Sequence, residues 1–229
     1  MAFQPVVDIE TRRIICHEAL VRGPAGEGAA TILAKVDDHN RYAFDQFCRV
    51  KAIQLAAELG LTSRLNINFL PNAVYDAEAC IHVTLKAAQK YQFPLDRITF
   101  EIVEHEDVVQ LAHLQHIFAA YRRHGFEIAL DDFGTGYSGL QRLAELKPDI
   151  AKLDRALVAG CDSDPTRLAI CRSVINLCDE LGVELVIEGV ETAGEIAALR
   201  AIGARFMQGF YFARPAFQAL VTEADIPWL

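Results

Sequence analysis

The sequence predicts an α/β fold, a closed (β/α)8 TIM-like barrel with an antiparallel first strand. Three observations predict it. Short apolar runs alternate with longer amphipathic ones along all 229 residues, with no linker or low-complexity segment between them. That alternation implies a mainly parallel sheet. About eight such runs in a chain of this length favour a closed barrel over an open doubly wound sheet. No G-x-G-x-x-G follows the first run, as a dinucleotide-binding sheet would need. Third, only a few polar residues separate the first two runs in "VVDIETRRIICHEAL", too few for a crossover helix, so these two should pair as an antiparallel hairpin.

The strands are read in order as "FQPVVDI", "RIICHEAL", "RLNINF", "RITFEIV", "FEIALDD", "DIAKLD", "VELVIEGV" and the run at residues 204–210. Helical patterns lie between them. "YAFDQFCRVKAIQLAAELG" ends on Gly60, a suitable residue just past a helix C-terminus. In residues 107–124, Leu111, Leu114, Phe118 and Tyr121 repeat at helical spacing, and Gly125 follows. From Pro165 to Leu181 a stripe of Ile170, Val174, Leu177 and Leu181 is stopped by Gly182. The whole, residues 1–229, is read as a single domain.

Hydrophobic residues make up 52% of the chain, ample for a large core. With 22 basic and 31 acidic residues the formal charge is −9. Such a surface disfavours duplex nucleic acid and anionic membrane, so an anionic substrate would need local cations at its site. No apolar run reaches transmembrane length, and "MAFQPVVDI" has neither a basic leader nor a signal-peptide core. The six cysteines, Cys16, Cys48, Cys80, Cys161, Cys171 and Cys178, form no C-x-x-C pair. They read as reduced, buried small hydrophobes, and the expected location is the cytoplasm.

The chemistry sits where the strands end. Successive apolar runs finish on Glu18, Asn68, Glu101, the adjacent Asp131 and Asp132, Lys152 and Glu188. In a parallel barrel these ends share one face, where the active sites of the fold assemble. Four or five carboxylates converging there with one amide and one lysine repel one another unless cations compensate them. Oxygen ligands select Mg²⁺, Mn²⁺ or Ca²⁺ over zinc. Side-by-side aspartates suit a pair of cations about 3.5–4 Å apart, Asp131 bridging them and Asp132 holding one. A Schiff-base role for Lys152 is disfavoured, because surrounding acids raise its pKa where that chemistry needs it lowered.

The motifs "HEALVRG", "LNINFLP", "FEIVE", "LDDFGTGYSGL", "PDIAKLD", "VIEGVET" and "QGFYFARP", in this order from residue 3 to about residue 215, resemble those of the EAL domain. That family consists of bacterial phosphodiesterases specific for the second messenger cyclic di-GMP, built on a barrel with an antiparallel first strand. The resemblance implies that Glu18, Asn68, Glu101 and Asp131 hold one metal. Asp131 and Asp132 would hold a second, completed by Glu188 directly or through water. Two Mg²⁺ or Mn²⁺ ions are implied, with Ca²⁺ inhibitory. Lys152 matches the lysine that contacts the attacking water, Arg22 an arginine on a substrate phosphate, Gln4 a glutamine near a guanine and Gln208 a glutamine at the same mouth. Glu104 and Glu191 match acids behind the ligands, Glu104 holding the loop at residues 133–139.

The implied reaction is hydrolysis of cyclic di-GMP to linear pGpG by a metal-activated water. The alternative is a catalytically weak cyclic di-GMP receptor. A homodimer is implied, and a sensory domain or protein partner outside this chain is compatible with it. Two features depart from the family pattern. Residues 24–38, "PAGEGAATILAKVDD", form a shortened segment after Arg22, and the glycine loop ends in "YSGL" where "YSSL" is common.

Overall fold

The computed structural model describes residues 1–103, 111–134 and 139–228. Eight strands close a barrel: β1 (Ala2–Asp8), β2 (Arg13–Leu20), β3 (Arg64–Asn68), β4 (Ile98–Val103), β5 (Glu127–Phe133), β6 (Ile150–Leu153), β7 (Glu184–Ile187) and β8 (Phe206–Met207). β2 through β8 run parallel to their neighbours. β1 closes the ring, antiparallel to both β2 and β8. A short β9 (Ala216–Phe217) adds to β1 antiparallel at Ala2 and Phe3. The hairpin expected from the short β1–β2 connection is therefore present. Asp8 fixes its turn, accepting from the backbone N–H of Glu10 at 2.9 Å and Thr11 at 3.2 Å.

The helices are α1 (Ala29–Leu33), α2 (Arg41–Glu58), α3 (Ala77–Tyr91), α4 (Leu111–Arg123), α5 (Gly139–Leu146), α6 (Arg155–Val158), α7 (Pro165–Leu181) and α8 (Ala193–Ala201). Local chemistry sets their ends. Asp164 caps α7 ahead of Pro165, and Gly182 terminates it in the left-handed region at φ 68°. Thr192 and Glu195 form a reciprocal capping box on α8. None of the described helices is long and apolar enough to cross a membrane.

Alternation along each strand divides the core in two. One cluster, Val6, Cys16, Ala129, Ile150 and Val186, draws one residue from each of five strands and fills the barrel interior. A much larger cluster packs the outer strand faces against the helices. Each interior residue lies two positions from a polar one nearer the barrel mouth: Val6 from Gln4, Cys16 from Glu18, Ala129 from Asp131, Ile150 from Lys152, Val186 from Glu188. The polar set is thus the next layer of the same barrel interior.

Candidate active site

Lys152 is 0% exposed and sits at the centre of that layer. Its Nζ lies 2.7 Å from Glu188 Oε1, 3.1 Å from Asp131 Oδ1, 3.2 Å from Glu101 Oε2 and 3.4 Å from Glu18 Oε2. Glu18 also accepts from Asn68 Nδ2 at 2.9 Å and from Gln208 Nε2 at 2.8 Å. Gln4 reaches the same mouth because β1 runs backwards, which sets it opposite Glu18. Its Nε2 donates to the carbonyl of Ala213.

Two adjacent residues of a regular strand face opposite ways, yet Asp131 and Asp132 both serve this mouth. The reason is a break in the β5–β6 register between Leu130 and Phe133, with Asp132 at φ 54°. Aspartate is one of the few side chains that enters this left-handed region readily. The outcome is two triads of carboxylates, Glu18–Glu101–Asp131 and Asp131–Asp132–Glu188, each with ligand atoms within 4.8 Å of one another. Asp131 belongs to both.

The electrostatics follow from burial. Burial opposes Lys152's charge, but the four carboxylates overcome it and hold the ammonium well above its ordinary pKa. Burial pushes Glu101 well above the carboxylate range, and its acidic neighbours add to the effect against Lys152. Glu188 is pushed up to about 8 by the same causes. Burial also acts on Glu18, but Lys152 and the amides of Gln208 and Asn68 outweigh it, so its pKa lies below the usual value.

The residues fit a pair of divalent cations. Five carboxylates and one ammonium sum to −4 when all are ionised, the charge that two such cations neutralise. Among the described residues no hydrogen bond satisfies the buried Asp131 Oδ1, although it lies at ion-pair distance from Lys152. The donors are all oxygens, as hard cations require.

Clefts flank the acids on both sides. One of about 220 Å³ is lined by Gln4, Glu18, Arg155, Glu188, Glu191, Gln208 and Phe210 among others. The other, of about 270 Å³, is mostly apolar and runs between α1, α2 and the ends of β2 and β3. Glu191, expected behind the metal ligands, forms an ion pair of 2.9 Å with Arg155 in the first cleft. Arg22 lies just beyond β2, its Nη1 donating to its neighbour's carbonyl at Val21. Glu104 and the loop residues Thr135 and Ser138 lie outside the described residues.

Sequence reasoning missed Asn66. It is buried below Asn68 on the same strand face, donates through Nδ2 to Glu101 Oε1, and accepts at Oδ1 from the Cys16 thiol, 2.7 Å away. It turns one oxygen of Glu101 downward and leaves Oε2 to the mouth. The spacing of two in "NIN" was the available signal. Cys16 reads correctly as buried and free.

Fold and site together define an α/β barrel whose carboxylate-rich mouth suits hard divalent cations. The family model of the EAL domain matches residues 1–215, and the chain belongs to that family. A standalone EAL protein of Vibrio cholerae O395, solved with cyclic di-GMP bound, is 48% identical with a TM-score of 0.93, covering 97% of this chain and 94% of that one. BlrP1 of Klebsiella pneumoniae, solved with manganese and cyclic di-GMP, is 34% identical with a TM-score of 0.90, over 95% of this chain and 56% of BlrP1. The cyclic di-GMP phosphodiesterase RocR of Pseudomonas aeruginosa is 33% identical over 159 residues, 69% of this chain and 40% of RocR. The chain spans 28–56% of the length of the first curated relatives it matches.

Proposed function

We propose that this chain hydrolyses cyclic di-GMP to linear pGpG with two Mg²⁺ or Mn²⁺ ions, lowering the level of a bacterial second messenger. The observation that carries the reading is Asp131's membership of two carboxylate triads, the arrangement a two-cation phosphodiesterase needs. Glu18, Asn68, Glu101 and Asp131 would hold one cation, and Asp131, Asp132 and Glu188 the other. Bound there, the cations supply charge neutralisation at the phosphate and acidify a water.

The chain's own groups do the rest. Lys152, fixed by four carboxylates, orients the attacking water through its ammonium. Glu188, 2.7 Å from Lys152 Nζ, helps hold that ammonium in place beside the water. Gln4 and Gln208 line the polar cleft, Gln4 as a partner for a guanine edge, and Arg22, just beyond β2, would turn from the Val21 carbonyl to meet a phosphate oxygen. The second phosphate and the two bases supply binding energy remote from the cleaved bond.

The test incubates the protein with cyclic di-GMP and Mg²⁺, Mn²⁺ or Ca²⁺ in turn. The reading requires pGpG with the first two and little product with Ca²⁺, which is larger and polarises water less. Binding without product under all three would make the chain a receptor. We further propose that residues 1–229 act as one domain in the cytoplasm, where six free cysteines stay reduced. The proposed assembly is a homodimer, for which exposed Leu140 on α5 and Leu181 on α7 offer an apolar face. Regulation would come from a sensory domain or protein partner. Sedimentation at several concentrations tests the dimer.

A further inference from the structure

We propose that Arg49 is a positioning residue, holding Asn68 and Glu101 in the direction a cation needs; this rests on the reading that those two side chains bind one. Arg49 stands on α2, outside the barrel, and is fully buried at 0% exposure. Its Nε lies 2.7 Å from Asp45 Oδ2, one turn earlier on the same helix. Its Nη1 donates to the Tyr121 hydroxyl of α4 at 2.6 Å. The guanidinium carbon is 5.0 Å from the ring centre of Phe100, 5.4 Å from Phe69 and 5.6 Å from Tyr121.

Phe69 and Phe100 directly adjoin Asn68 and Glu101 in sequence. On alternating strands, the rings must point outward when the polar side chains point inward. Asn68 and Glu101 are partners in the β3–β4 register, and the Phe69 N–H donates to the Glu101 carbonyl at 3.0 Å. The second Asp45 oxygen accepts from the Leu70 N–H at 2.9 Å. The guanidinium thus packs on the rings that adjoin both site residues and, through Asp45, pins the chain two residues past Asn68.

Stability alone does not call for an arginine here. Replacing a buried ion pair with apolar residues of similar volume is often neutral or stabilising. What a planar, forked guanidinium adds is fixed orientation, set simultaneously by the Asp45 carboxylate, the Tyr121 phenol and the two phenylalanine rings. Groups that orient metal ligands from behind typically change metal affinity 10–100-fold when removed.

Removing Arg49 alone strands the Asp45 charge, so the decisive variant is the pair Arg49→Met with Asp45→Asn. Mn²⁺ binding is measured calorimetrically without substrate, beside Tyr121→Phe and beside Leu199→Ala. The last opens a cavity under α8 and controls for lost stability. The expected result is a roughly 10–100-fold loss of Mn²⁺ affinity in the pair, a smaller loss in Tyr121→Phe and none in Leu199→Ala. Wild-type affinity in the folded pair overturns the proposal, as does wild-type affinity in Tyr121→Phe should the pair fail to fold. A wild-type protein that binds no Mn²⁺ overturns the underlying reading of the acid cluster instead, so the two failures are distinguishable.

Discussion

At the lower end of the barrel, where the parallel strands begin, Arg64 faces Glu127 at 3.1 Å and Glu184, and Arg205 faces Asp8 at 2.7 Å and Glu10 at 3.6 Å. At the upper end, where the same strands finish, one lysine faces four carboxylates with a fifth beside them. Both ends are rich in charge, but they differ in burial and in balance. Below, Asp8 is buried, but Arg64 and Arg205 are partly exposed, and water screens their pairs with Glu127 and Glu10. Above, Lys152 and Glu101 are sealed from solvent, and five acids surround one base where below four acids meet two. The lower end is arranged as a folded protein arranges ion pairs for itself; the upper end gathers more buried negative charge than its one lysine offsets.

The difference can be broken at either end. The largest effect is expected from Lys152→Met. Without its ammonium the upper acids are buried with no compensating base, which should cost roughly 3–5 kcal/mol in urea melts of metal-free protein. Added Mg²⁺ should recover part of that loss while hydrolysis stays impaired. Glu101→Gln should do the reverse, abolishing hydrolysis while holding or raising the metal-free melting temperature, because burial and the neighbouring acids already disfavour a charge on Glu101.

At the lower end, Asp8 gives a smaller and pH-dependent effect. Burial works against its charge, but Arg205 and the N–H groups of Thr11 and Glu10 prevail and hold its pKa down at about 2, against 3.8 when unperturbed. A depressed carboxylate stabilises the fold above its unfolded value and loses that contribution as pH falls through the folded one. Asp8→Asn should therefore cost at most about 2 kcal/mol near neutrality and progressively less between pH 4 and pH 2, with turnover unchanged. Urea melts across that range check it.

Asp132 separates backbone strain from charge. Asp132→Asn and Asp132→Ala should both weaken Mn²⁺ binding, and the alanine variant should be about 1 kcal/mol less stable, since asparagine also tolerates the left-handed backbone. The smallest effect belongs to Arg64→Met, about 1 kcal/mol or less in stability and no change in metal affinity.

Most of the upper layer was legible because each of its members ends an apolar run, and a barrel gathers strand ends on one face. Asn66 escaped because it lies inside its strand, where a polar residue interrupts no pattern of ends. Arg49 escaped for a different reason. On α2 it reads as one more charged residue of an amphipathic helix, and only the packing of β3, β4 and α4 around it shows it buried. α3 was passed over as well, although its buried Ala77, Cys80, Ile81, Thr84, Ala87 and Ala88 recur at helical spacing, because that stripe is built mostly of small residues. The left-handed turn at Asp132 was invisible for want of a glycine; two aspartates in a row were its trace. The β1–β2 hairpin was plain, because four residues cannot hold a crossover helix.

The central claim is that the upper mouth is built for two cations sharing Asp131. Electron paramagnetic resonance of the protein titrated with Mn²⁺ tests it most directly. Two ions per chain in one bridged site, about 3.5–4 Å apart, give an exchange-coupled spectrum that appears as the second equivalent binds and is lost in Asp131→Ala. A single uncoupled six-line signal saturating at one equivalent, unchanged by Asp131→Ala, would contradict it.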